Sequence, residues 1–116
     1  MDQNSQLRDL KMPSMNLKFV SINLFSKNLV NINLAENKIQ SLPEEISTIS
    51  TLQELKVDKN LLSALPSELS QLTKLRKLIA SDNLIRELPS SMDRLSHLEV
   101  LQINDNLLSQ VPASIG

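Results

Sequence analysis

The stretch LVNINLAENKIQSLPEEI at residues 29–46 returns as LQELKVDKNLLSALPSEL at 52–69, as LRKLIASDNLIRELPSSM at 75–92 and as LEVLQINDNLLSQVPASI at 98–115. Each copy is displaced from the last by 23 residues. Asn37, Asn60, Asn83 and Asn106 keep that spacing, and so do Pro43, Pro66, Pro89 and Pro112. Self-similarity at one fixed period signals a repeat architecture, not a core built from unlike elements. The shared form is L-x-x-L-x-L-x-x-N-x-L-x-x-L-P-x-x-I.

Within a unit the period changes, and the change reports local structure. Ile32/Leu34, Leu55/Val57, Leu78/Ala80 and Leu101/Ile103 are apolar pairs two apart, so alternate side chains enter a core while their neighbours face solvent, as in a short strand. After the proline the apolar positions come every third residue, as in Pro43, Ile46 and Ile49. That spacing predicts a 3₁₀-like or short helical turn, with the proline pre-setting φ at its start. One such unit buries too little to fold alone. Stacked units bury both sides of every interior copy and build a parallel sheet along a solenoid.

The fixed asparagine suits a buried turn, where backbone groups need both a donor and an acceptor. An amide side chain supplies both, whereas an ionised Asp only accepts and Leu does neither. Asn37, Asn60, Asn83 and Asn106 are therefore predicted to form a structural ladder between successive turns.

With these motifs in place, residues 29–116 are identified as resembling the leucine-rich repeat family in its 23-residue L-P-x-x-I form. The form is similar to the Ras-group repeats of Scribble-like scaffolds, Ras suppressor proteins and yeast adenylate cyclase. The resemblance implies an α/β solenoid, a right-handed superhelix with a short parallel sheet on its concave side and 3₁₀ or short helical turns on its convex side. It also implies a protein partner on the strand face, without saying which one.

Residues 1–28 are read as an N-terminal lead-in with a capping strand, and 29–116 as four repeats, the last incomplete. Residues 1–18 are polar with scattered Leu7, Leu10, Met12 and Met15, and Pro13 stops any helix there. The segment FVSINLFSKN at 19–28 imitates the start of a repeat and then runs directly into the next one. Two readings stay open: Phe19 to Leu24 form a cap joined by a turn at Phe25 to Asn28, or a deletion has removed half a repeat. At the other end, Ile115-Gly116 stops inside a repeat with no polar terminal unit, which leaves an uncapped end available for self-association.

Composition narrows the function. With 116 residues, 41% hydrophobic and 22% charged, the chain reads as one ordinary globular domain. Lys plus Arg number 12 against 13 Asp plus Glu, a net charge of −1, which offers no footprint for a nucleic-acid backbone. No apolar run approaches the roughly 18 residues of a membrane span, so no membrane insertion is expected. The N-terminus lacks the pattern of a signal peptide, and there is no cysteine or Asn-x-Ser/Thr sequon. Together these features predict a cytoplasmic location.

Chemistry is thinly supplied. His97 is the only histidine and sits in a variable position, the single glycine is the last residue, and cysteine is absent. No general base, phosphate-cradling loop or transition-metal ligand set can be built in the usual spacings. No enzyme, cofactor or metal is expected. Attention passes to the positions beside the strand core: Asn31 and Asn33, then Glu54, Lys56 and Asp58, then Lys77, Ile79 and Ser81, then Val100, Gln102 and Asn104. Glu54 and Lys77 fall beside each other on adjacent strands, either as a surface ion pair worth about 0–1 kcal/mol or as part of a recognition patch with Lys56 and Ile79. Glu54, Lys56, Asp58, Lys77, Ile79 and Gln102 are taken as the candidate protein-binding set.

Leu61, Leu84 and Leu107 follow the ladder asparagine at a position the repeat leaves free. They stack into an apolar ridge, read either as packing along the rim of their own turns or as a docking surface. The expected function is a non-catalytic protein-interaction module, a scaffold or adaptor of small-GTPase signalling. Its rivals are a regulatory repeat segment of a larger signalling enzyme and a fragment of a receptor ectodomain.

Overall fold

The computed structural model describes residues 8–21 and 28–108. Five three-residue strands, β1 (Asp9–Lys11), β2 (Asn31–Asn33), β3 (Glu54–Lys56), β4 (Lys77–Ile79) and β5 (Val100–Gln102), lie in chain order in one sheet. Every neighbouring pair is parallel. The middle residue of each strand points inward, and Leu10, Ile32, Leu55 and Leu78 are buried. The parallel ladder continues past the strands, with Leu34 N–H donating to Lys56 O at 2.8 Å and Ala80 N–H to Gln102 O at 2.8 Å.

The return path of the interior units is a 3₁₀ turn at Glu44–Thr48, Ser67–Gln71 and Ser90–Arg94. Pro43, Pro66 and Pro89 stand just before these turns, not at their first residue, and their backbone is extended with ψ near 140°. Each proline carbonyl accepts a hydrogen bond from three residues on, as in Ile46 N–H to Pro43 O at 3.1 Å. The turns close the core from the side opposite the sheet through Ile46, Leu69 and Met92. Pro112 and Val111 of the fourth sequence repeat lie outside the described residues.

The turn that follows each strand needs a left-handed residue. Ser14, Glu36, Lys59, Asp82 and Asp105 hold φ between 55 and 59°, a region that costs residues with a Cβ of order 1 kcal/mol or more. The cost recurs at one repeat position because this twist swings the next residue inward. From Glu36 onward that next residue is the ladder asparagine.

The N-terminal segment differs from its sequence reading. Residues 8–18 are not a loose lead-in: β1 pairs with β2 in the register Asp9↔Asn31, Leu10↔Ile32, Lys11↔Asn33. The spacing is 22 residues, and it aligns Leu10, Met12, Leu17 and Val20 with Ile32, Leu34, Ile39 and Leu42. Met12, Leu17 and Val20 pack partly buried against the core. A degenerate repeat thus occupies the place assigned to the cap. Phe19 to Ser21 carry no strand, and Phe19 is 83% exposed; the rest of the proposed capping strand and its turn, residues 22–27, lies outside the described residues.

Candidate functional site

The ladder asparagines are the best-defined polar groups in the interior. Asn60 Nδ2 donates to Val57 O at 3.0 Å and Asp58 O at 3.2 Å in its own turn and to Leu34 O at 3.0 Å in the preceding repeat. Its Oδ1 accepts the Ile39 N–H at 3.1 Å. Asn83 repeats the pattern with Ala80 O, Ser81 O, Val57 O and the Leu62 N–H. Asn37 and Asn106 make the corresponding bonds at the two ends. These amides hold the turns in register and so fix the sheet that carries the surface residues.

That register sets two rows running across the strands. The first strand position gives Asp9, Asn31, Glu54, Lys77 and Val100, and the third gives Lys11, Asn33, Lys56, Ile79 and Gln102. They line a concavity of about 470 Å³ on the strand face, to which only Val100 of the ten does not contribute. Of the sequence-derived set, Glu54, Lys56, Lys77, Ile79 and Gln102 are therefore together. Asp58 is set apart. It is buried, and its Oδ1 is held by Lys56 Nζ at 2.7 Å. Lys77 Nζ lies 3.6 Å from Glu54 Oε1, with both side chains about half exposed.

Asp9 and Lys11 are the residues that sequence reading missed. The signal was present as Leu10, Met12, Leu17 and Val20 in step with later units, but at 22 residues and without the marker asparagine and proline, whose places are taken by Met15 and Ser21. Beside the main concavity a second hollow of about 340 Å³ is lined by Gln53, Glu54, Arg76, Lys77, Glu99 and Val100. Arg76 Nε donates to Glu99 Oε2 at 2.8 Å. That hydrogen bond, aided by the guanidinium charge, holds the Glu99 carboxyl below the usual carboxylate range and raises the Arg76 pKa.

The three leucines that follow the ladder asparagine occupy one repeat position. Leu61, Leu84 and Leu107 are 41%, 45% and 51% exposed, and their N–H groups each donate at 2.9 Å to the preceding repeat, at Ile39 O, Leu62 O and Ile85 O. Lys38 N–H bonds Leu17 O in the same row, so the row turns from charged to apolar after the second repeat.

His97 lies on the surface with Nδ1 at 3.1 Å from Thr73 O and 3.4 Å from Ser96 Oγ. Among the described residues no three His, Asp or Glu gather to hold a metal, and no helix is long and apolar enough to cross a membrane.

The family model described as Leucine rich repeat matches residues 27–85, half of the chain. The chain belongs to the leucine-rich repeat family. Among solved structures, this leucine-rich repeat chain is similar to the Leptospira interrogans LRR protein LIC12759, with 28% identity, a TM-score of 0.78 and 97% of this chain covered. It is also similar to a chain of the BIR3–SERK2 complex from Arabidopsis thaliana, with 29% identity, a TM-score of 0.79 and 91% covered. It spans 35% of the first chain and 60% of the second. A search of the curated proteins found no match.

The leucine-rich repeat assignment and these relatives make the chain a non-catalytic interaction module. They also correct the compartment. The likeness to SERK2, part of an extracellular receptor ectodomain, overturns the expected cytoplasmic location. That expectation rested on missing cysteines and a missing leader pattern, and the repeat scaffold itself is held together by amide ladders that work in either compartment.

Proposed function

We propose that this module captures a partner protein on its strand face, with Glu54, Lys56, Lys77, Ile79 and Gln102 as contacts and Asp58 positioning Lys56. The observation that carries the reading is the concavity of about 470 Å³, in which side chains from all five strands meet. The L-P-x-x-I repeat form supports a scaffold or adaptor role of the kind played by Ras-group repeats in signalling. The half-buried Leu98, Leu101, Ile103 and Leu108 at the β5 end support self-association as a second mode of contact.

The test compares a triple change, Glu54→Ala with Lys56→Ala and Lys77→Ala, with a ridge variant, Leu61→Ser with Leu84→Ser and Leu107→Ser, each first shown to be folded. The expected result is loss of partner capture in the first alone. Loss only in the second moves the site to the ridge, and capture unchanged in both removes the two surfaces from consideration. The BIR3–SERK2 likeness favours a second reading, in which the chain is a segment of a receptor ectodomain that pairs with another receptor chain. Surface labelling of cells expressing the whole tagged protein separates this reading from the scaffold one.

A further inference from the structure

The two rows on the strand face differ in charge and hydrogen-bonding character, and the carboxylates of one and the ammonium groups of the other decide it. Asn31 Nδ2 donates one of its two hydrogens to Asp9 Oδ1 at 2.6 Å. Asn33 does the reverse: its Oδ1 accepts the Ala35 N–H at 3.1 Å, which leaves Nδ2 to donate. Across β1 to β3 the first row is Asp9, Asn31 and Glu54, two carboxylates about an amide, and the second is Lys11, Asn33 and Lys56, two ammonium groups about an amide. Glu54 and Lys56 each have an internal partner, but an ammonium has three donors and a carboxylate about four acceptor sites, so both keep capacity for another contact.

We propose that these rows form a docking track for an α-helix of a partner protein that carries a basic stripe and an acidic stripe side by side. This rests on the strand face being the binding surface. The basic stripe lies over Asp9, Asn31 and Glu54, and the acidic stripe over Lys11, Asn33 and Lys56. The spacing suits a helix. Its turns repeat every 5.4 Å and adjacent strands lie about 4.8 Å apart, so three turns meet three strands with a drift of about 1 Å, within the reach of long side chains. An extended segment repeats the same face at roughly 6.7 Å and offers only one row. The rows themselves are about 6.7 Å apart, and neighbouring helix residues, about 100° apart around the axis, place two stripes at that order of separation.

The track also reads direction. Turning the helix end for end exchanges the stripes and sets like charge against like, which disfavours the wrong orientation. Beyond β3 the first row runs on to Lys77 and Val100 and the second to Ile79 and Gln102, and the half-buried Ile79 and Val100 add apolar contact at one end of the helix only.

The probe is a synthetic alanine-based helix with three Lys and three Glu in adjacent stripes, carrying a nitroxide at its C-terminus. It is compared with a peptide of the same composition with the charges scattered, and with one whose stripes are exchanged. Amide signals of β1 to β3 are expected to shift with the striped peptide and much less with the scattered one. Nitroxide broadening is expected to move from one end of the sheet to the other when the stripes are exchanged. Asp9→Lys combined with Lys11→Asp should weaken striped binding roughly threefold to tenfold. Asn31 can rotate its amide to meet either charge, and unchanged signals beyond β2 establish that this variant is folded. Equal binding of striped and scattered peptides, broadening that does not move, or no shift with the striped peptide overturns the track. If the Glu54, Lys56 and Lys77 alanine variant still loses its natural partner, the strand-face reading survives that failure; if capture is also intact, both fall.

Discussion

One amide bridges each pair of turns, and its cost of removal depends on where water can reach. Asn60 and Asn83 are buried and satisfy three carbonyls and one N–H apiece. Replacing either with Ala strands those groups in the interior and should destabilise the fold by about 1–3 kcal/mol. Asn106 makes similar bonds in a partly exposed site, where water can take the place of the amide, so Asn106→Ala should cost less. Thermal melts in which all three variants lose the same stability would contradict this account. The ladder was legible in the sequence because an amide brings two N–H donors and an acceptor to such a site, one donor more than a hydroxyl. Met15 hid the first unit for the complementary reason. Its own N–H and that of Leu17 are served by Asn37 Oδ1 of the next unit, but a thioether brings no N–H or C=O that would mark the position.

At the level of elements, strands and 3₁₀ turns were readable where apolar period and proline agreed, as in Leu55/Val57 followed by Pro66. The first strand was not, because the repeated INL of 22–24 and 32–34 drew attention past it, to a segment of which 22–24 lie outside the described residues. Among the described residues β1 ends the strand order, and its Leu10 is only 8% exposed, which gives a direct comparison with the capping-strand reading. Leu10→Ala should destabilise by about 2 kcal/mol, near the low end for buried leucines because the site lies at an edge. Phe19→Ala should stay within about 0.5 kcal/mol, as for other exposed positions. Urea titrations in which Phe19 proves the costlier of the two would return the capping strand to the segment after Pro13. Asp9 and Lys11 entered the candidate site only through this strand, so the site was half legible at its N-terminal side. Asp58 was misplaced because strand alternation says which way a side chain leaves the sheet and not whether a neighbour such as Lys56 folds over it.

For the whole molecule, each repeat packs on its neighbours alone, and the strand face grows one strand at a time. Neither fact carries an address, which is why the repeat period told the fold while the missing cysteines and leader pattern misjudged the compartment. Size, however, bears on binding. Five strands about 4.8 Å apart span roughly 19 Å, and three residues of each run for about 10 Å, a flat patch of about 200 Å². Doubling it for side-chain relief still leaves it well below the roughly 800 Å² that each partner gives to a standard interface. The charges that fill it are exposed and screened by salt. A partner held by the strand face alone should therefore bind the isolated chain with micromolar or weaker affinity, and titration calorimetry should show that affinity falling further as salt is raised. Nanomolar binding that the Glu54, Lys56 and Lys77 alanine changes abolish would contradict the size argument. Nanomolar binding that survives those changes and salt would place the contact on apolar surface instead, where Leu61, Leu84 and Leu107 are each about half exposed.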